Sequence, residues 1–340
     1  MLRFIRNLVI GLTTTGFAAV FAGYFWLQHW YETTTLQVSN ESGTQLIEVV
    51  RGSHGRSVAR LLAQHGLIKE PSLAYWSARL FANVQHLQAG VYAVSANDTV
   101  SSLWQKLARG EQHYFSITFA EGLNFLEWQQ TIAEHPWLKP EWQQLTAQQV
   151  ISQLAPNASY TLPEGLLFPD TYRFHAYTSD RQIYQQAYAR MEEVLSELWA
   201  QRAEHLPVSS PYEALILASI IEKETGAAHE RGLVASVFVN RLRKGMRLQS
   251  DPTIVYGLGE RYRGVIYRSD INETTAYNTY RINGLPPTPI AMPGKEAIAA
   301  TLQPKTTDYL YFVSQNDGTH IFSKTLQEHN RAVQQYQRNK

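Results

Sequence analysis

Apolar residues crowd the first thirty positions and afterwards recur in short periodic runs. Leu8 to Leu27 (LVIGLTTTGFAAVFAGYFWL) carries no charge and is about 30 Å long as a helix, enough to cross a bilayer. Arg3 and Arg6 precede it, which predicts a cytoplasmic N-terminus over 1–7 and an exported remainder. Tyr24, Phe25, Trp26, Trp30 and Tyr31 gather at its far end, as an interfacial aromatic belt would. A signal peptide cleaved near Ala22 is the competing reading; the apolar stretch is long for one, so a retained anchor over 8–27 is expected. The Thr-, Ser- and Asn-rich run that follows reads as a tether over 28–43.

Beyond it the periodicity alternates between strand and helix. Leu46–Val50 predicts a strand, Ser57–Gln64 and Pro71–Phe81 two helices, Ala89–Val94 a strand, and Thr99–Leu107 a helix closed by Gly110. These elements form a compact unit over 44–112. A second domain over 113–340 opens with a strand at Tyr114–Phe119 and short helices at Leu126–Ile132, Trp142–Gln143 and Gln148–Leu154. Pro163–Phe174 (PEGLLFPDTYRF) holds two prolines and a glycine, so a loop is expected there. For Glu164 and Asp170 in it, turn chemistry and substrate contact both stay open. Asp180–Arg202 is a long amphipathic helix, and Leu233–Leu242 is apolar nearly all round, as a buried helix is. Leu248–Tyr256 leads into a proline-initiated helix with Asp251 as its expected cap. The irregular stretches Thr275–Tyr280 and Gly284–Ile290 have the character of cleft-lining loops. Asn316-Asp317-Gly318 between Tyr309–Val313 and His320–Phe322 predicts a hairpin, and Leu326–Gln337 a closing helix. The fold class is α+β: an N-terminal transmembrane helix, a small module and a mixed α/β domain.

One helix in the second domain joins an apolar stripe to a carboxylate. Ser209 or Ser210 can cap it, Pro211 suits its first position and Gly226 lies just past its end. At about 100° per residue, Ile216, Leu217, Ile220 and Ile221 share a face with Glu224, whereas Ser219, Glu222 and Lys223 turn away. A carboxyl withdrawn from water holds its proton to higher pH, the property of a general acid near neutrality. Glu224 could equally cap the helix or pair with Arg231, Arg241 or Arg243. Asn240, a polar residue in a buried helix, must find hydrogen-bond partners. They could be a carboxylate, a substrate amide or the protein's own backbone.

Composition narrows the chemistry. The net charge of +1 gives no electrostatic case for nucleic acid. With no cysteine there is no disulfide, thiolate nucleophile or Cys-ligated zinc. No G-x-S-x-G elbow, phosphate-binding loop, H-E-x-x-H or dinucleotide fingerprint occurs. The 11 histidines are scattered, so no metal and no cofactor is expected. Carboxylates remain as the acid–base groups, which points to cleavage of glycosidic or related polar bonds.

Ala218–Thr225 (ASIIEKET), Val237–Leu242 (VFVNRL), Leu248–Thr253 (LQSDPT), Tyr256-Gly257, Ala276–Tyr280 (AYNTY), Gly284–Pro287 (GLPP) and Tyr309–Val313 together carry a resemblance. In this order they resemble the MltG/YceG-like endolytic murein transglycosylases, over nearly the whole chain. The resemblance implies a LysM-like module over 44–112, around Gly90-Val91-Tyr92 and Gly110, and a YceG-like catalytic domain over 113–340. It places the catalytic acid on Glu224 and assigns Asn240, Gln249, Asp251, Tyr277, Asn278 and Tyr280 to the substrate cleft. Ala291-Met292-Pro293-Gly294 departs from the pattern, since many relatives carry Ser-Asn before Pro-Gly. The implied reaction is cleavage of the MurNAc–GlcNAc β-1,4 bond of nascent peptidoglycan with a 1,6-anhydroMurNAc end, on the periplasmic side of a bacterial inner membrane. The implied partners are glycan strands, the membrane and peptidoglycan synthases. A hydrolytic muramidase using Asp170 or Asp251, a non-catalytic glycan-binding scaffold and a membrane-anchored adaptor are the rival readings.

Overall fold

The structure is a computed structural model that describes residues 1–40, 43–82 and 86–338. Positions 41–42 of the expected tether, 83–85 of the expected module and the last two residues of the second domain lie outside the described residues. The chain divides into two compact units, Met1–Phe115 with Arg173–Tyr177, and Ser116–Tyr172 with Thr178–Lys340.

In the first unit α1 (Leu2–Thr33) runs past the expected end of the anchor. It is long and apolar enough to cross a membrane by length and composition, and its N-terminal part exposes Leu8, Leu12, Phe17, Phe21 and Phe25. The stretch read as a tether is not free. Tyr31 and Leu36 are 3% exposed within the unit's core, and the amides of Leu36 and Gln37 donate to the carbonyls of Asp98 and Leu67. The Thr/Ser/Asn composition hid this, because the docking rests on two isolated apolar side chains, Tyr31 and Leu36, and on backbone groups that no side-chain pattern reports.

The rest of the unit is β1 (Thr44–Val49), α2 (Gly55–Gln64), α3 (Pro71–Phe81), β2 (Gly90–Ser95) and α4 (Val100–Arg109). β1 and β2 pair antiparallel, Thr44 opposite Ser95 through Val49 opposite Gly90. Two helices between paired strands give a β-α-α-β order. Thr99 caps α4 with its side chain, and Gly110 ends it in the left-handed conformation at φ 70°, where a glycine carries no Cβ penalty. Val58, Leu62, Tyr92, Leu103, Trp104 and Leu107 fill the interior.

The second unit takes most of β3 (Tyr114–Thr118), then α5 (Phe125–Ala133), β4 (Leu138–Lys139), α6 (Ala147–Leu154), part of β5 (Thr171–His175), β6 (Thr178–Ser179) and α7 (Asp180–Ala200). Then come α8 (Pro211–Glu224), α9 (Arg231–Arg243), α10 (Asp251–Leu258), α11 (Arg268–Asn272), α12 (Lys295–Leu302), β7 (Tyr311–Ser314), β8 (His320–Ser323) and α13 (Leu326–Val333). β3 pairs with β5, β4 with β6 and β7 with β8. Trp142–Gln143 is a turn rather than a helix: the backbone amide of Trp142 donates to the buried Asp180 carboxylate at 3.0 Å and that of Glu141 does the same.

α8 is the central element. Residues Ala214 to Ile221 are all buried, including Ser219, so no face of the helix is left for solvent in that stretch. It packs against α9 and α12, and Val234, Ala235, Phe238, Ile298 and Leu302 belong to the same core. Ser219 fits this setting because its hydroxyl donates to the Ile216 carbonyl and accepts from the Ile290 amide. Ser210 is the N-cap, accepting from the Glu213 amide, with Pro211 in the first turn.

Candidate active site

Glu224 is the last residue of α8, at the end of the buried apolar run. The helix delivers its side chain to a cavity of about 480 Å³ lined also by Arg241, Gln249, Asp251, Tyr280, Tyr311 and His320. One carboxylate oxygen, Oε1, accepts a hydrogen bond from Ser250 Oγ at 2.5 Å. Among the described residues Glu224 has no ion-pair partner and no hydrogen bond to Oε2. Burial pushes its pKa up to about 7, against the Ser250 hydrogen bond, which lowers it; the Asp251 charge raises it further and Arg241 opposes. Desolvation wins because the cations that would stabilise the charge are committed elsewhere. Arg241, the cation that opposes the rise, donates through Nε to the Leu310 carbonyl and through Nη1 to the Leu248 carbonyl, both at 2.6 Å, and lies over the Tyr311 ring.

Ser250 is itself fixed from behind. It occupies the N-cap position of α10, with Asp251 as the first helical residue, so the expected cap is displaced by one position. Its hydroxyl makes no capping bond, being turned to Glu224. The Ser250 amide donates to Thr279 Oγ1 and its carbonyl accepts from Thr253 Oγ1, so two buried threonines set its orientation. Gln249 before it is exposed and sits at φ 50°, a left-handed backbone that a non-glycine residue seldom adopts. Such strain persists where surrounding structure over-determines it and gathers at functional sites.

Asp251 is the shared wall of two concavities. One is the Glu224 cavity; the other is a groove of about 1030 Å³ lined by Phe125, Leu126, Tyr256, Tyr262, Tyr277 and Ile266, with Glu127, Lys223 and Glu260 among its polar residues. The larger groove does not contain Glu224, so size alone points past the acid. Tyr280 donates its hydroxyl to Asp251 Oδ1 at 2.7 Å, which holds that carboxylate in place. Glu164 lines the groove as well. It is 4% exposed, accepts from the Phe125 amide at 2.9 Å, and burial pushes its pKa to about 7. Asp170 is exposed and lines neither concavity; its carboxylate accepts from the Thr171 amide.

The seven residues singled out from the sequence therefore divide. Glu224, Gln249, Asp251 and Tyr280 meet at one cavity. Tyr277 lies in the adjoining groove, its hydroxyl against Thr288 Oγ1. Asn240 and Asn278 line neither. Asn240 donates to the carbonyls of Thr307 and Tyr309, tying α9 to the chain that enters β7. Asn278, 1% exposed, donates to the carbonyls of Asp270, Ile271 and Glu273 and accepts from the Tyr280 amide. Both are polar groups whose capacity goes to backbone. Ser250, Thr253 and Thr279 were not singled out as partners of the acid. The Gln-Ser-Asp-Pro run signals a helix start, but not that the cap hydroxyl turns away to a residue 26 positions earlier.

Glu222, the other acid of α8, is enclosed differently. Its Oε2 accepts from the Gly294 amide at 2.9 Å and its Oε1 lies 3.7 Å from Arg231 Nη2. The divergent Ala291–Gly294 segment is buried and structural: Met292 exchanges backbone hydrogen bonds with Gly122 and Leu123, and its sulfur accepts from the Gly165 amide.

Comparison with known proteins follows the same outline. An endolytic murein transglycosylase of Bacillus subtilis is 31% identical over 88% of this chain and 87% of its own length. One from Streptococcus pneumoniae is 26% identical over 92% of this chain, which spans 62% of that relative. A crystal structure of a yceG-like protein from Listeria monocytogenes matches with a TM-score of 0.56 at 29% identity, over 85% of this chain and 99% of that one. The family model of the YceG-like family matches residues 47–335. With that match running from β1 to the end of α13, the chain belongs to the YceG-like family.

Proposed function

We propose that this chain is a membrane-anchored lytic transglycosylase that cuts peptidoglycan glycan strands, with Glu224 as acid and then base. The observation that carries the reading is the state of Glu224: one oxygen held by Ser250, the other with no hydrogen bond among the described residues, and a pKa near 7 in a cavity that shares its Asp251 wall with the larger groove. Because Ser250 donates to Oε1, the carboxyl proton belongs on Oε2. Oε2–H protonates the bridging oxygen of the MurNAc–GlcNAc β-1,4 bond, and the bond to C1 breaks with oxocarbenium character. The carboxylate then takes the proton of the same MurNAc C6 hydroxyl, whose oxygen bonds to C1 and closes a 1,6-anhydro ring. The proton is returned, no water is consumed and no protein nucleophile is needed. The relatives named endolytic murein transglycosylases support the same substrate and reaction.

The groove, with its aromatic walls and the polar groups Glu127, Glu164, Lys223 and Glu260, is the strand-binding surface in this reading. α1 is a single membrane span that holds the cleft on the periplasmic face of the inner membrane, where nascent strands emerge near peptidoglycan synthases. The β-α-α-β unit is a LysM-like glycan-binding module. The experiment is digestion of defined strands by the full chain and by Glu224→Gln, with product masses. A positioned general acid contributes about 10²–10⁴-fold in rate, so the variant should lose cleavage to that extent while keeping its fold. Full activity in it would sink the assignment.

A hydrolytic muramidase is the second reading, favoured by one fact: Asp251 stands in the same cavity as Glu224 and is held by Tyr280. Asp251 would then activate water. Hydrolysed ends weigh one water more than anhydro ends, so the same masses decide between the two.

A further inference from the structure

α3 is sided the wrong way for a helix of a water-soluble module. It buries small residues, Ala74, Ser77 and Ala78 at 0% exposure, and leaves Trp76 and Leu80 at 50% and 58%. The two large residues are four apart, one above the other on the same face. Arg79 lies over the Trp76 ring and Arg56 over Tyr75. Arg56 and Arg60 of α2 join Ser72, Tyr75 and Trp76 around a hollow of about 240 Å³. Among the described residues Arg56, Arg60 and Arg79 make no ion pair.

The place of this face along α1 identifies what covers it. The Phe81 ring, next to Leu80, lies between two rings of α1, 5.2 Å from Tyr24 and 5.6 Å from Tyr31. Those tyrosines bracket Leu27, where the continuous apolar stretch gives way to Gln28 and His29, about 10 Å apart along the axis at 1.5 Å per residue. The last turn of α3 therefore stands at the depth where acyl chains give way to headgroups, the level that aromatic side chains favour. Arginines beside an aliphatic and an aromatic residue suit anionic headgroups above and acyl chains below.

We propose that the C-terminal half of α3 is a second membrane contact: Trp76 and Leu80 enter the leaflet beside α1, and Arg56, Arg60 and Arg79 bind phosphates of anionic lipid. The proposal rests on the reading of α1 as a membrane span. Its consequence is that the module lies on the bilayer surface and does not swing freely about α1.

The absence of cysteine makes the test direct, because one introduced thiol takes one label. Spin labels are placed singly on the full chain at Leu80→Cys, at Glu70→Cys on the opposite end of α3, and at Phe17→Cys within α1. Each protein is reconstituted in vesicles of phosphatidylethanolamine with phosphatidylglycerol. The expected result is oxygen-rich, nickel-chelate-poor surroundings at position 17, and nickel access at position 80 several-fold below that at position 70. Changing Arg56, Arg60 and Arg79 together to Gln should restore nickel access at position 80. If position 17 is in the bilayer but position 80 is as open to nickel as position 70, the proposal is overturned. Protection at position 80 against oxygen as well as nickel also overturns it, because a protein then covers the face. Nickel access at position 17 would instead defeat the span itself.

Discussion

At the scale of single residues, the proposed chemistry depends on where Glu224 keeps its proton. Burial raises its pKa to about 7, and the Ser250 hydrogen bond opposes that rise. The acid form is the donor, so kcat/KM should fall as pH climbs through about 7. Ser250→Ala removes the bond that favours the charged form and should move this limb to higher pH; a limb that stays put would separate Ser250 from the acid. Stability should respond as well. Between the ordinary carboxyl value and 7 the folded state holds a proton that the unfolded state has released, so folding weakens as pH rises across that window. Glu224→Gln should therefore raise Tm at pH 8 and leave it nearly unchanged at pH 4, measured by calorimetry. The helical projection separates Glu224 from Glu222, yet burial alone does not, since both are enclosed. The difference lies in partners: Glu222 is taken by Gly294, 72 positions on, and by Arg231 of the next helix, and a projection of one helix sees neither.

At the scale of elements, α8, α9 and α10 act as one frame. α8 presents the acid, α9 supplies Arg241 to the cavity wall, and the start of α10 supplies Ser250 and Asp251. Asn240 locks α9 to the strand that follows 307–309 through two carbonyls. Asn240→Ala leaves those acceptors without their donor, which should cost about 1–3 kcal/mol. Urea unfolding should report the loss while KM for glycan holds; a raised KM at unchanged stability would put Asn240 in the cleft after all. α3 and α8 are legible because each has Pro in its first turn followed by an apolar run, although the sidedness expected of α8 is lost, Ser219 being buried with its neighbours. β5 is not, as the prolines and glycine of Pro163–Phe174 outweigh the short alternation of Thr171–His175. α12 was missed for another reason: Lys295–Leu302 is Ala-rich and buried against α8, so it shows little contrast between faces.

At the scale of the whole molecule, the two units are not consecutive in sequence. The first takes back Arg173–Tyr177 from the middle of the second, and Phe174 is 3% exposed, with its ring 6.2 Å from that of Phe115. The sequence reading expects a single boundary near 113 and no return of the chain. The return was invisible because pairing between strands so far apart leaves no local trace. A fragment ending at residue 115 should accordingly melt below the first unit within the full chain, as followed by hydrogen exchange at β1 and β2. The same interleaving sets an order on the ribosome. At about 5–20 residues per second, the early part of the chain waits roughly 3–12 seconds after residue 115 for its missing strand. During that delay β3 lacks the strand it pairs with in the folded chain.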